Sequence, residues 1–462
     1  MKKNNDEKTD RHSRFVVGFA WDVYRHGILN VFIKAWKRYG VFVKLKIGSG
    51  YLFLVIDPDD ARKILITDRD NYEKLTSYDA VRELLLGNGI FTSIGKQWKK
   101  QRRLISPFFT PKTVNEFYPS MVKGCEEMLK RWGKKAEDQD VFEVVDEMMF
   151  VTAMIVLKAL FSVDDKDDLE KIKNSVETMI TFTSGYQLNP LSLPLWIPVK
   201  KNRKYLQARE HIHSYLSKVI AQRRLKDQNE WPEDLLSELM STKDDETGLP
   251  MSDELLRYEV ITIFFAGHET TARTVGFCLY ELSKKPDCQK KVFAEVDKFM
   301  TDIPSLEELN NLDYTRRVIK ETMRLYPVVP VYIRDAKEKS EINGVPVPAK
   351  STMVLFPYLT HRDERYWDKP EVLDPDRWLT EAGKVASNKA YHPFGMGKRT
   401  CMGNNFAILE SLMIISTLLR RFVIKTIPGH EIKLEIQGTL ISGNGLPMMV
   451  ERRNLIKEAS IG

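Results

Sequence analysis

Between residues 21 and 39 apolar side chains recur at helical intervals (Trp21, Tyr24, Ile28, Phe32, Trp36) and the run stops at Gly40, which predicts one amphipathic helix. The period then shortens. VFVKLKIG and YLFLVID flank Ser49-Gly50 and predict a β-hairpin, with Pro58 opening another helix. From there to residue 330 helical patterns dominate, broken by loops such as TSYDAVRELLLGNGIFTSIG and GYQLNPLSLPLWIPVKKN. The longest signal begins at Ser252, an N-cap followed by Asp253 and Glu254, and runs to Pro286. That is about 34 residues, or roughly 50 Å, enough to cross a domain. Beyond 330, SEINGVPVPAKSTMVLF turns at Asn343-Gly344 and predicts a small sheet, and NNFAILESLMIISTLLRRF returns to helical spacing. No repeat, low-complexity linker or domain boundary interrupts the chain. The expectation is a mainly α protein with small β-sheets (α+β): a single helix-rich unit over residues 15–462, behind a flexible polar segment, 1–14.

Composition narrows the class. Hydrophobic residues are 43% and charged residues 29% of the 462, as in a globular enzyme and unlike a disordered chain. The net charge is +7, without a dense basic run interleaved with aromatics, so nucleic-acid binding is not expected. Four cysteines (Cys125, Cys278, Cys288, Cys401) form no CxxC pair, which argues against a disulfide scaffold and for a reducing compartment; a zinc site would need scattered ligands. The apolar stretch FVVGFAW ends at Asp22, and seven residues cannot cross a bilayer, which takes about 20. A cytoplasmic, soluble, monomeric protein without a transmembrane anchor is expected.

Chemistry concentrates at FGMGKRTCMG, Phe394 to Gly403. Cys401 opens a helix, where the dipole and free backbone N–H groups favour a thiolate, and glycines at 395, 397 and 403 let the backbone pass close to something flat or bulky. A buried inert cysteine in a tight turn is one reading. A nucleophile would need a positioned base, and His392, the nearby histidine, is nine residues away before a proline. Ligation of a cofactor iron accounts for the glycines, the helix and the missing base together.

Phe394-x-x-Gly397-x-Arg399-x-Cys401-x-Gly403 resembles the haem-binding loop of the cytochrome P450 monooxygenases at every position of that signature. The resemblance implies that Cys401 is the axial thiolate of haem b, that Phe394 shields the sulfur and that Arg399 pairs with a haem propionate. Three further stretches stand in the family's order. FFAGHETTA, inside the long helix, resembles the oxygen-activating segment, which implies that Ala266 and Gly267 leave room above the haem and that Glu269 and Thr270 form an acid–alcohol pair for proton delivery. ETMR and DPDRW resemble the Glu-x-x-Arg helix and its partner, which implies a structural lock of Glu321, Arg324 and Arg377; Trp378 stands where the family usually has phenylalanine. WKKQR places Trp98 and Arg102 on one helix face, and the resemblance implies that both reach haem propionates, together with Arg334 of VYIRDA.

The resemblance covers nearly the whole chain. It implies insertion of one atom of dioxygen into a C–H bond or double bond of a lipophilic substrate, with the long central helix over the haem. Electrons would come from NAD(P)H through separate partners, ferredoxin with its reductase or flavodoxin with a flavoprotein reductase. The alternatives are a peroxide-driven peroxygenase and a non-catalytic haem sensor. Phe264, Phe265, Val329 and Leu446 are expected to line the substrate pocket, with the loop around 75–92 and the TFTSGYQLNPLSLPLW region. NPLSLPLWIPVKKNRK, Asn189 to Lys204, reads as a loop packed over the core or as a membrane-touching lip with peripheral membrane contact. Lys96, Lys99, Lys100, Arg103 and Lys398 are expected to form a basic face for an acidic electron donor.

Overall fold

The computed structural model describes residues 13–14, 16–47, 50–163, 166–188, 192–243 and 248–454. Helices dominate. The first are α1 (Val16–His26) and α2 (Ile28–Tyr39); the single helix expected here is interrupted at Gly27, whose φ of 74° stops the ladder. Of the segment expected to be flexible, residues 1–12 lie outside the described residues, while Ser13–Arg14 pairs in parallel with β1 (Phe42–Ile47). β1 and β2 (Gly50–Val55) form the expected antiparallel hairpin, though residues 48–49 of its turn lie outside the described residues.

Further along come α3 (Gly95–Ile105), α4 (Val144–Phe161), α5 (Lys166–Leu188), α6 (Lys200–Arg224) and α7 (Asp253–Lys284). α5 extends to Leu188 through residues expected as loop, and the 76–95 stretch holds short helical turns rather than open loop. α7 is the long helix that the sequence predicts: the Ser252 hydroxyl accepts the Leu255 N–H (3.2 Å) and acidic residues fill its first turn. Its deepest neighbour is α4, apolar almost all round and buried accordingly. The chain closes with α8 (Asp313–Leu325) and α9 (Asn404–Arg421) around the same core.

One sheet runs Ser13–Arg14, β1, β2, β4 (Thr352–Leu355), β3 (Tyr332–Ala336), Tyr72–Glu73, with β2 and β4 parallel and β4 and β3 antiparallel. A separate hairpin, β5 (Leu434–Gln437) and β6 (Thr439–Ser442), turns on Gly438 alone. Asn343-Gly344 is the predicted turn, both residues having positive φ, between Ser340–Ile342 and Val345–Val347. Among the described residues no helix is long and apolar enough to cross a membrane.

Candidate active site

Cys401 lies in a tight loop ahead of α9. Its N–H donates to the Phe394 carbonyl (2.9 Å), closing the loop on itself. Gly397, at φ 70°, is demanded twice over: a Cβ there would also lie 2.4 Å from the Leu65 carbonyl oxygen. The Tyr332 hydroxyl of β3 clamps the loop's start, donating to the His392 carbonyl (2.6 Å) and accepting from the Gly395 N–H (3.0 Å). Cys401 is accessible to solvent, yet protein surrounds it closely enough that burial is the main influence on its thiol. Burial raises the pKa, against the Gly403 N–H and the Arg102 charge, which lower it. Against the expectation that the helix N-terminus favours a thiolate here, burial outweighs the donors that the loop supplies.

Around the loop the structure brings together the cationic residues that the motifs single out. Arg102 donates to the Thr400 carbonyl (2.7 Å), and the Arg399 guanidinium lies 4.1 Å from the centre of the Trp98 ring. Arg399 also donates to Glu73 (3.0 Å) and to the Ser93 carbonyl (2.8 Å), while its Nη1 is buried without a partner. Arg334 is buried nearby and donates to the Ile333 carbonyl. Lys74, which no motif marks, completes the cluster: buried, bonded to the Phe91 carbonyl (2.7 Å) and repelled by Arg334 and Arg399. Burial, then those two guanidiniums, hold its pKa well below that of an ordinary lysine, and burial brings Arg399 down to about 10. Two buried cations, Lys74 and Arg334, and the half-buried Arg399 stand against two carboxylates, Glu73 and Asp335, so a positive charge remains over and these residues, beside the Cys401 loop, fit a group that carries carboxylates. Among the described residues no cluster of three or more His, Cys, Asp or Glu could hold a bare metal ion, and all four cysteines are free.

On α7 the burial pattern breaks where FFAGHETTA predicts a site. Ala266 is exposed and Phe265, Gly267 and Thr270 are half-buried, between turns that are buried. Gly267 answers to a different neighbour from the one expected: a Cβ there would lie 2.9 Å from Val156, so it admits α4, and the open position is Ala266. Thr270 donates to the Ala266 carbonyl (2.6 Å), Thr274 to the Thr270 carbonyl (2.9 Å) and Thr152 of α4 to the His268 carbonyl (2.8 Å). Glu269 and Thr270 are adjacent in sequence, but the carboxylate is engaged elsewhere. Its Oε1 takes the Arg273 Nε (2.8 Å) and the Thr439 hydroxyl (2.7 Å), and its Oε2 is buried without a partner.

Behind the loop, Glu321 and Arg324 of α8 meet Arg377. Arg324 makes a two-pronged bond to Glu321 (2.8 and 3.1 Å), and Arg377 Nε reaches the same carboxylate at 3.0 Å. All three are buried, and the spare guanidinium N–H groups of Arg324 go to the His361, Pro370 and Val372 carbonyls.

A profile of the family described as Cytochrome P450 matches residues 11–450. The chain belongs to the cytochrome P450 family. It is 29% identical to cyclooctatin synthase and 28% identical to cyclooctat-9-en-7-ol 5-monooxygenase, both of Streptomyces melanosporofaciens, over 89% and 91% of its length and 89% and 90% of theirs. The crystal structure of the cytochrome P450DA heme domain superposes with a TM-score of 0.83 at 25% identity, over 93% of this chain and 94% of that one. As a cytochrome P450 the chain is a haem-thiolate monooxygenase, an oxidoreductase that uses haem and dioxygen.

The expected pocket residues divide. Phe265 and Val329 are half-buried, whereas Phe264 is buried and stacks on the His268 ring at 4.5 Å. Leu446 is a core residue: its N–H is held by Glu143 and its side chain packs near Gly276, nine residues beyond Gly267 on α7. The part of the C-terminal segment that approaches the site is instead the hairpin tip, Gly438 against Ile180 and Ser184 of α5 and Thr439 on Glu269. A groove of about 900 Å³ along α6, between Leu206 and Ser214, contains none of the expected site residues. In the Asn189–Lys204 stretch, residues 189–191 lie outside the described residues; Trp196 is 81% exposed, while Leu195 packs on the core.

Proposed function

We propose that Cys401 supplies the axial thiolate to haem b and that the enzyme inserts one oxygen atom of dioxygen into a lipophilic, terpenoid-like substrate, by hydroxylation or epoxidation. The observation that carries this reading is the under-compensated cluster of Lys74, Arg334 and Arg399 beside the Cys401 loop. Trp98 and Arg102 extend it along α3, and this set would supply the donors for two propionates. Bound haem supplies dioxygen activation and transfer of oxygen to carbon, which thiolate ligation favours. Tyr332 and the Phe394 carbonyl hold the loop so that the sulfur keeps its place. Ala266 leaves the wall of α7 open, and Thr270, whose hydroxyl is parked on the Ala266 carbonyl, can turn to hold a proton for the oxygen side. Glu269 keeps one free oxygen, Oε2, for the same proton path. The substrate class follows the similarity to cyclooctat-9-en-7-ol 5-monooxygenase and the half-buried Phe265 and Val329. Electrons come from NAD(P)H through a separate ferredoxin- or flavodoxin-type partner.

The reduced carbon monoxide adduct tests the ligand: a red-shifted Soret band in the parent, lost with haem retained in Cys401→His, is expected, and a histidine-type spectrum in fresh parent protein would overturn it. Titrating terpenoids, fatty acids and steroids against the Soret band ranks substrate classes. Thr270→Ala should keep haem and NAD(P)H consumption but divert turnover into peroxide. The engagement of Glu269 by Arg273 and Thr439 favours a second reading, peroxide-driven oxygenation. Product formed with hydrogen peroxide alone, at the rate seen with a competent reductase, would establish it.

A further inference from the structure

One side chain that no motif marks joins the buried lock to the Cys401 loop. His361 follows the short helix Pro357–Thr360 and is fully buried. Its carbonyl accepts Nη1 of Arg324 at 2.8 Å, which ties its backbone to the lock of Glu321, Arg324 and Arg377. Its ring reaches the other way: Nε2 accepts the backbone N–H of His392 at 3.0 Å. A backbone N–H only donates, so Nε2 carries no proton and the ring is the Nδ1–H tautomer. Turning the ring over would set a C–H against that N–H and leave it bare.

The residue so held works through its main chain. Neither ring nitrogen of His392 has a hydrogen-bond partner, whereas its carbonyl accepts the Tyr332 hydroxyl at 2.6 Å and the Gly395 N–H at 3.1 Å. Pro393 follows and has no N–H to offer, and residues 391–393 belong to no helix or strand. The His361 ring and the Tyr332 hydroxyl therefore grip the N–H and the carbonyl of one residue where the chain enters the loop that leads to Cys401. We infer that His361 is a positioning residue through which the lock sets the Cys401 loop: its bare Nε2 fixes the His392 N–H, and with it the backbone from which the loop turns.

The surroundings keep the ring able to accept. The rings of Tyr391 and His392 lie 5.4 and 5.2 Å from it, and the Tyr391 hydroxyl is engaged by the Lys320 carbonyl of α8. Burial, then His392, Arg324 and Arg362, hold the His361 pKa well below that of an ordinary histidine, so the ring takes up no second proton at neutral pH. The inference deepens the reading of Cys401 as the axial ligand and rests on it for one of two readouts. The other, amide exchange, does not involve the haem.

Two substitutions separate the acceptor from the space it fills. His361→Gln keeps an oxygen as far along the side chain as Nε2, and His361→Phe keeps a ring but has no acceptor. In the reduced carbon monoxide adduct of the holoenzyme, the red-shifted Soret band should decay about tenfold faster in His361→Phe than in the parent, the scale of one buried hydrogen bond, and within about twofold of the parent in His361→Gln. Packing alone predicts the opposite order, since an aromatic ring fills this cluster better than an amide. Equal decay in the parent and His361→Phe, or faster decay in His361→Gln than in His361→Phe, would overturn the inference. A parent without the red-shifted band would refute the axial role of Cys401 instead, and amide exchange would then decide. The His392 amide of the parent, though outside regular structure, should exchange far more slowly than an unbonded one. Exchange at the rate of an unstructured peptide would overturn the inference even where neither variant folds.

Discussion

Thr439, just past the tip of the β5–β6 hairpin, donates its hydroxyl to Glu269 Oε1 across 2.7 Å, joining residues 170 positions apart. The carboxylate is buried and also takes Arg273, so the hairpin is fastened to the open turn of α7 by one charged group. Thr439→Val should destabilise the holoenzyme by about 1.5–3 kcal/mol, the range for a hydrogen bond to a charged partner. Its thermal midpoint measures this; an unchanged midpoint would mean that Arg273 alone satisfies the carboxylate.

Glu321 faces two buried guanidiniums. Glu321→Ala leaves Arg324 and Arg377 without their counter-charge and should cost about 3–5 kcal/mol, enough to prevent recovery of folded holoprotein. Lys291→Ala is the contrast. Its ion pair with Asp376 is 55% and 45% exposed, and its loss should cost less than about 1 kcal/mol by denaturant unfolding.

Arg399→Gln removes one of three cations crowded beside the Cys401 loop. Haem affinity should fall about tenfold, the loss of one charge-assisted bond, read as the haem-to-protein ratio after reconstitution of apoprotein. A ratio equal to the parent's would leave Lys74 and Arg334 as the groups that compensate the propionates.

Lys99 is exposed on α3, the helix whose Arg102 is bonded to Thr400 of the Cys401 loop, and Lys398 is exposed on the loop itself. Reversing Lys99 and Lys100 to glutamate should slow reduction by an acidic ferredoxin or flavodoxin and flatten its salt dependence, since exposed charges are screened over about 8–10 Å. Peroxide-supported turnover should be unaffected. Equal reduction rates for variant and parent at low ionic strength would move the docking site elsewhere.

The long helix and the Cys401 loop were legible because their signals are local: an N-cap at Ser252, glycines at fixed spacing, a helical pattern that nothing stops before Pro286. The Glu321–Arg324 half of the lock was legible for the same reason. What sequence reading missed depends on distant segments meeting. Nothing in NYEKLTSY marks Lys74, and Thr439 meets Glu269 only because the hairpin folds back over α7. Leu446 looks like a pocket residue in an apolar tail, but Glu143 anchors its N–H and turns it into the core.

Three carbonyls of one stretch of α7, those of Ala266, His268 and Thr270, each accept a side-chain hydroxyl. Every such bond competes with the amide N–H four residues ahead for the same oxygen, and hydroxyls placed this way loosen and bend a helix. The longest rod in the fold therefore has three of its carbonyls shared with hydroxyls near its middle. The same span is braced by α4 on one side, through Val156 at Gly267 and Thr152 at His268, and open at Ala266 on the other, so the weakened ladder of the helix is supported from behind and faces the site.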